Sequence, residues 1–243
     1  MTRACLVTLA LLACAARTPA IGAAPQTVAR SVTLAQLFPA SEAQALSKTL
    51  PADRPLQYRV REPAEGSRGV LVYVSPTDSG EPPADWASVL DRKRLLYIGA
   101  EGFGNSRPTA ERVLVALAAQ RLARQMGVKD DRRQFIAGMS GGGRVASQVI
   151  THFPQVYAGA LCIAGADYFM PQDEAQRALV ASRRLVLLTG GRDFNQREMR
   201  MVSRRYQQGG FSSRLQLIDL PHFAHQLPDA GLLTQALDFL DAN

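Results

Sequence analysis

From Leu56 to the end of the chain, β-prone apolar runs alternate with segments of helical apolar spacing, and this exchange limits the fold more than any other feature. LQYRVRE (56–62) alternates polar and apolar residues as an edge strand does. GVLVYVSP (69–76) is a continuous β-branched run stopped by proline, the pattern of a strand buried on both faces. RLLYIGA, RRQFIAG, YAGALCIAG, RLVLLTGG and SRLQLIDL repeat that pattern further on. Between them PPADWASVLDRK, TAERVLVALAAQRLARQMG, GGRVASQVITHF, the stretch 172–182 and NQREMRMVSRRYQQGG read as helices, and DAGLLTQALDFLDA closes the chain as another. Such alternation predicts an α/β fold, a mainly parallel central sheet with helices on both faces. Ligands of such sheets sit at the carboxyl ends of the strands. Chemistry is therefore expected just after Val74, Ala100, Gly138, Gly165, Gly190 and Leu220. Only about one helix separates YAGALCIAG from RLVLLTGG.

The first 55 residues read differently. Residues 1–23 have the layout of a secretory signal: Arg3, an apolar stretch from Ala4 to Ala16, then small residues around Ala20 to Ala24. Cleavage near Ala23 is expected. LLAC (11–14) also resembles a bacterial lipobox, and acylation of Cys14 is the alternative, making the chain a membrane-anchored lipoprotein instead of a free periplasmic or secreted one. Residues 24–55, rich in Pro, Ala, Ser and Gln, read as a tether and N-terminal extension with a short helix near Leu34 to Leu50. Cys5 and Cys14 lie in the signal, so Cys162 remains as the one cysteine of the body and forms no internal disulfide. Its apolar strand context is that of a small buried hydrophobe. The formal net charge of +7 is spread along the chain rather than gathered in a tail, and no nucleic-acid partner is expected. Arg197, Arg200 and Arg204 fall on one face of their helix, a solvated face by default.

Within the alternation, Gly138-Met139-Ser140-Gly141-Gly142 fits the pattern G-x-S-x-G at a strand-to-helix junction. A serine presented there must sit at the tip of a very sharp turn. Neighbouring backbone passes close to the positions two before and two after it, where glycine removes the clash. The Gly141 N–H stands at the positive end of the following helix, ready for an oxyanion. A serine hydroxyl needs a base, and the base needs an orienting carboxylate, in the chain order Ser, acid, His. Asp193 lies just past RLVLLTGG; Asp167 and Asp219 are the rival acids. His225 and His222 both lie just past the last strand and are the candidate bases. His152 ends a helix before Pro154 and reads as a surface or capping residue.

On these residues the chain resembles the α/β-hydrolase superfamily, and within it exported bacterial esterases related to polyhydroxybutyrate depolymerases and feruloyl or acetyl esterases. GMSGGGRVASQV, FPQVYAGALCIAG and LPHFAHQLPDAGLLTQALDFL carry the resemblance, over roughly residues 56–243. It implies a hydrolase domain of that span and a serine esterase using Ser140, Asp193 and His225, with no metal or organic cofactor. Lipase-like relatives often insert a lid between YAGALCIAG and RLVLLTGG; with only about one helix there, the resemblance implies little or no lid, and the open cleft would suit a bulky or polymeric ester. The second oxyanion donor of such proteins comes from the loop after GVLVYV, where many relatives carry His-Gly. Here the loop reads Ser75-Pro76-Thr77-Asp78; proline has no N–H to give, and Thr77, through its backbone, is the candidate. Glu101 and Asn105, in GAEGFGNSRP, follow another strand end within reach of a substrate's polar group or serve the loop itself. Trp86, Phe103, Tyr168, Phe169, Phe194 and Phe223 are candidates to wall an apolar acyl pocket. An amide-cleaving relative, or a non-catalytic binding protein on the same scaffold, is the alternative.

Overall fold

A computed structural model describes residues 26–211 and 214–242; the expected signal and Cys14 lie outside the described residues. Eight strands form one sheet: β1 (Thr27–Val32), β2 (Leu56–Arg61), β3 (Gly69–Val74), β4 (Leu95–Ala100), β5 (Gln134–Met139), β6 (Gly159–Ile163), β7 (Arg184–Arg192) and β8 (Leu215–Ala224). Their spatial order is β1-β2-β4-β3-β5-β6-β7-β8. β1–β2 and β2–β4 pair antiparallel, and every later pairing is parallel. The chain leaves β3 for β4 on one side and enters β5 on the other. The carboxyl ends of β3 and β5 are thus a topological switch point, where open α/β sheets bind ligands.

The strand sequences explain why helices must cover both faces. Alternate residues of the buried strands feed two separate cores. Val70, Val72, Ile136 and Cys162 point into one, which is closed by α4 (Thr109–Gln125), α5 (Gly141–His152) and α7 (Gln196–Tyr206). Leu71, Tyr73, Phe135 and Leu161 point into the other, closed by α3 (Trp86–Lys93) and α8 (Ala230–Asp241). Trp86 is fully buried there, and its indole N–H donates to Pro228 O at 2.9 Å. A single helix of eight residues, α6 (Glu174–Ala181), separates β6 from β7, and no described helix is long and apolar enough to cross a membrane.

The segment expected as a tether is part of this body from Thr27 onward. β1 takes the sheet edge that the alternation of LQYRVRE assigns to β2. Two short helices follow, Leu34–Leu37 and Ala40–Leu46, the first closed by a reciprocal Thr33–Gln36 capping box. Leu34, Leu37, Phe38, Ala43 and Leu50 enter the same core as Val70 and Val72. Polar residues dilute these anchors in sequence, and only the packed fold gathers them.

Candidate functional site

Ser140 is the single residue between β5 and α5, and it holds φ 54° and ψ −121°. Few residues with a Cβ adopt that backbone, and such strain costs about 1–3 kcal/mol. Bonds on both sides hold it: its N–H donates to Ile163 O at 2.8 Å, and its carbonyl accepts from Arg144 N at 3.1 Å. Glycine is required where backbones meet beneath the turn. A Cβ at Gly142 would lie 1.9 Å from Val74 O, and one at Gly138 would lie 2.1 Å from Gly142 O. No side chain caps α5, so the N–H groups of its first turn stand at the positive end of the helix without a side-chain acceptor.

Asp193 and His225 meet because of the β7–β8 register. Those strands pair from Leu185–Leu215 to Gly190–Leu220, then shift, and Arg192 pairs with Ala224. Asp193 and His225 are the residues immediately past the ends of those two strands. His225 Nδ1 donates to Asp193 Oδ1 at 2.8 Å. Asp193 is buried, and its other bonds come from the Asn195 N–H to Oδ1 (3.0 Å) and Thr189 Oγ1 to Oδ2 (2.7 Å). A buried carboxylate that accepts from three donors is fixed in place. This arrangement leaves Nε2 of His225 free for a reacting group. The Phe194 ring stacks on the imidazole, with centroids 4.0 Å apart.

The rival residues are engaged elsewhere. Asp219 accepts from Arg200 (2.5 Å) and Gln196 (2.8 Å). Asp167 accepts from Arg144 (3.0 Å) and Gln148 (2.7 Å). Arg144 also forks onto Glu198, and that bond first, then Asp167, overrides burial to hold the guanidinium firmly charged. His222 is exposed. His152 stacks on Phe169, and its Nδ1 lies 2.9 Å from Gln148 O.

A run of contacts along the carboxyl edge joins the serine to the pair. Ser140 N–H bonds Ile163 O, Asn195 Nδ2 donates to Ala164 O at 2.8 Å, and the Asn195 N–H reaches Asp193. The Ser140 hydroxyl itself has no hydrogen-bond partner among the described residues.

The loop after β3 departs from expectation. The Thr77 N–H donates to Ser75 Oγ at 3.1 Å, a bond it must give up to face an oxyanion. Sequence reasoning passed over Arg112. This buried side chain donates to Ser75 O (2.9 Å), Phe103 O (3.1 Å) and Gly141 O (3.3 Å), tying the loops after β3 and β4 to the start of α5. Burial lowers its pKa, and the three carbonyls replace its water. The signal was legible: Arg112 is in helical phase with the buried Val115, Ala116 and Ala119. Of the six aromatic candidates, Trp86, Phe103 and Phe223 are buried in the cores, Tyr168 packs edge-on to Tyr206, and Phe169 covers His152. Phe194 alone, 77% exposed, lies against the His225–Asp193 pair. Among the described residues no cluster of three His, Cys, Asp or Glu side chains could hold a metal ion.

Solved structures of similar fold share this scaffold. A thermostable esterase matches with TM-score 0.62 and 14% identity, over 88% of this chain and 62% of that one. A ferulic acid esterase matches with TM-score 0.64 and 16% identity, over 89% and 98%. The feruloyl esterase module from Clostridium thermocellum, complexed with sinapinate, matches with TM-score 0.62 and 12% identity, over 90% and 87%. No family model matches the chain, and no curated protein matches it. The scaffold is the α/β-hydrolase fold, the fold of these esterases, with its strand–Ser–helix elbow in place.

Proposed function

We propose that this chain is a serine hydrolase of carboxylic esters. The observation that carries the reading is the hydrogen bond from His225 to buried Asp193, at the same sheet edge that presents Ser140 in strained backbone. Ser140 Oγ attacks the ester carbonyl carbon while His225 Nε2 takes the hydroxyl proton. The carbonyl oxygen becomes an oxyanion and accepts from the Gly141 N–H; the Thr77 N–H can join it only after leaving Ser75 Oγ. The C–O bond to the alcohol then breaks, His225 returns the proton to the leaving oxygen, and an acyl-serine remains. Water, deprotonated by His225, releases the acid by the same steps in reverse. Asp193 holds the imidazole tautomer and stabilises the imidazolium.

The short β6–β7 connection supports an open cleft for bulky or polymeric esters, and the composition of residues 1–23 supports export, with Cys14 acylation the alternative to cleavage near Ala23. The engaged Thr77 N–H favours one second reading, a binding protein that keeps the scaffold without turnover. A fluorophosphonate probe separates the two. Labelling of the native chain that is lost in Ser140→Ala, together with hydrolysis of p-nitrophenyl esters, supports the enzyme; an unlabelled, inert native chain refutes it. Matched ester and anilide substrates then distinguish an esterase from a peptidase of this fold.

A further inference from the structure

The Gly141 N–H has no acceptor among the described residues, and the Thr77 N–H is spent on Ser75 Oγ. The loop after β4 brings another amide beside Gly141. A Cβ on Gly141 would stand 2.2 Å from Asn105 Oδ1, 2.8 Å from its Cγ and 3.1 Å from its Nδ2. The missing side chain at position 141 therefore admits the Asn105 carboxamide beside the serine. The loop that carries it is held on several sides. The Asn105 N–H donates to Pro76 O (2.9 Å), the Gly102 N–H to Asp78 O (2.7 Å) and the Gly104 N–H to Asp78 Oδ1 (3.0 Å), while Arg112 ties Phe103 O to Gly141 O. By contrast, the carboxamide is exposed and has no hydrogen-bond partner among the described residues. It is a neutral amide on a backbone held in place, beside the uncapped first turn of α5; its oxygen is the atom nearer Gly141, and a turn of the exposed amide about its last torsion presents Nδ2 there instead.

We propose that the Asn105 side-chain amide is the second oxyanion donor of this site, acting with the Gly141 N–H and replacing the usual backbone donor of the loop after β3. The assignment rests on the reading of Ser140 as nucleophile. It makes Asn105 a catalytic residue: its N–H bonds the carbonyl oxygen as charge develops there. Gly141 then has two tasks, giving one N–H and leaving room for the other.

The test compares the full chain with Asn105→Ala and Asn105→Asp on a short p-nitrophenyl ester, following kcat, KM, the rate of fluorophosphonate labelling and the melting midpoint. Asn105→Ala is expected to lower kcat by about 100- to 1000-fold, the usual loss for one such donor. KM should change little, because the bond strengthens only in the transition state, and labelling should slow as well. Asn105→Asp keeps the shape but offers only acceptors at neutral pH, so it should be at least as impaired. Melting midpoints should match that of the parent. An active parent with Asn105→Ala or Asn105→Asp within about threefold of its kcat overturns the assignment and returns the role to the Thr77 N–H. A loss of kcat matched by a drop in melting midpoint also overturns it. A parent that neither hydrolyses the ester nor labels at Ser140 overturns the nucleophile reading beneath it.

Discussion

Phe194 lies face to face with His225, the two rings 24° from parallel and 4.0 Å apart at their centroids. The phenyl ring is mostly exposed, so its contact with the imidazole is its main one. In the proposed reaction His225 becomes an imidazolium, and an aromatic face stabilises a cation at an exposed site by about 0.5–1 kcal/mol. Phe194→Ala should therefore lower kcat/KM on a short ester about two- to fivefold, and Phe194→Tyr should preserve it. Steady-state kinetics with one small substrate decides this; an unchanged Phe194→Ala would reduce the stacking to packing.

Asp193 is separated from its rivals by what each carboxylate touches. Asp193→Asn keeps the shape but favours the wrong imidazole tautomer, and kcat should fall by about four orders of magnitude. Asp167→Asn and Asp219→Asn take the charge out of the ion pairs with Arg144 and Arg200 instead. Each should stay within about tenfold of the parent, an effect on positioning alone. Comparable losses in all three variants would show that the His225–Asp193 bond is not the working one.

Arg112 holds three loops through three carbonyls. Arg112→Met fills much of the same volume but donates nothing, leaving the Ser75 and Phe103 carbonyls without this partner at about 1–3 kcal/mol each, while Gly141 O keeps its helix bond in α5. Denaturant unfolding should show a loss of about 2–6 kcal/mol. Activity should fall too, because the Ser75, Phe103 and Gly141 backbones lose their common tie. Unchanged stability would mean that water replaces the guanidinium without cost.

Residues 27–50 are expected to be indispensable. Leu34→Ala or Leu50→Ala removes a side chain that is almost wholly buried and should cost about 2–5 kcal/mol by denaturant unfolding. A chain beginning at residue 56 bares β2 and the hydrophobic surface under both short helices, and should aggregate or melt far lower. A shortened chain that melts with the parent would restore the tether reading.

Cys162 is sealed in the core, and burial pushes its thiol pKa well up. In a chain carrying Cys5→Ser and Cys14→Ser, a disulfide thiol reagent at pH 8 should leave it unmodified until denaturant is added. Rapid reaction in the native state would contradict the packing of β6.

The alternation from Leu56 onward was enough to place strands, helices and the serine turn, because the side-chain period of each element is written locally. The same holds for Gly138 and Gly142, whose spacing around Ser140 encodes a backbone contact two residues either side. Other features were not local. β1 reads as polar chain until β2 pairs with it, and Leu34, Phe38 and Leu50 become a core only when the sheet stands beneath them. Arg112 lay in phase with a buried stripe, but its acceptors are carbonyls from three distant loops.

The sequence by itself determined a parallel α/β sheet, a strained Ser140 at a strand–helix junction, and a short list of acids and bases beyond the last strands. Only the tertiary structure shows which of them touch. The shifted β7–β8 register sets Asp193 and His225 side by side, while Arg200 and Arg144 occupy Asp219 and Asp167. Likewise, Thr77 N–H turned to Ser75 and Asn105 laid against Gly141 follow from how separate loops pack. The physical reason is range: periodicity and turn chemistry act over a few residues, whereas a hydrogen-bond partner is set by which distant backbones the finished sheet brings within 3 Å.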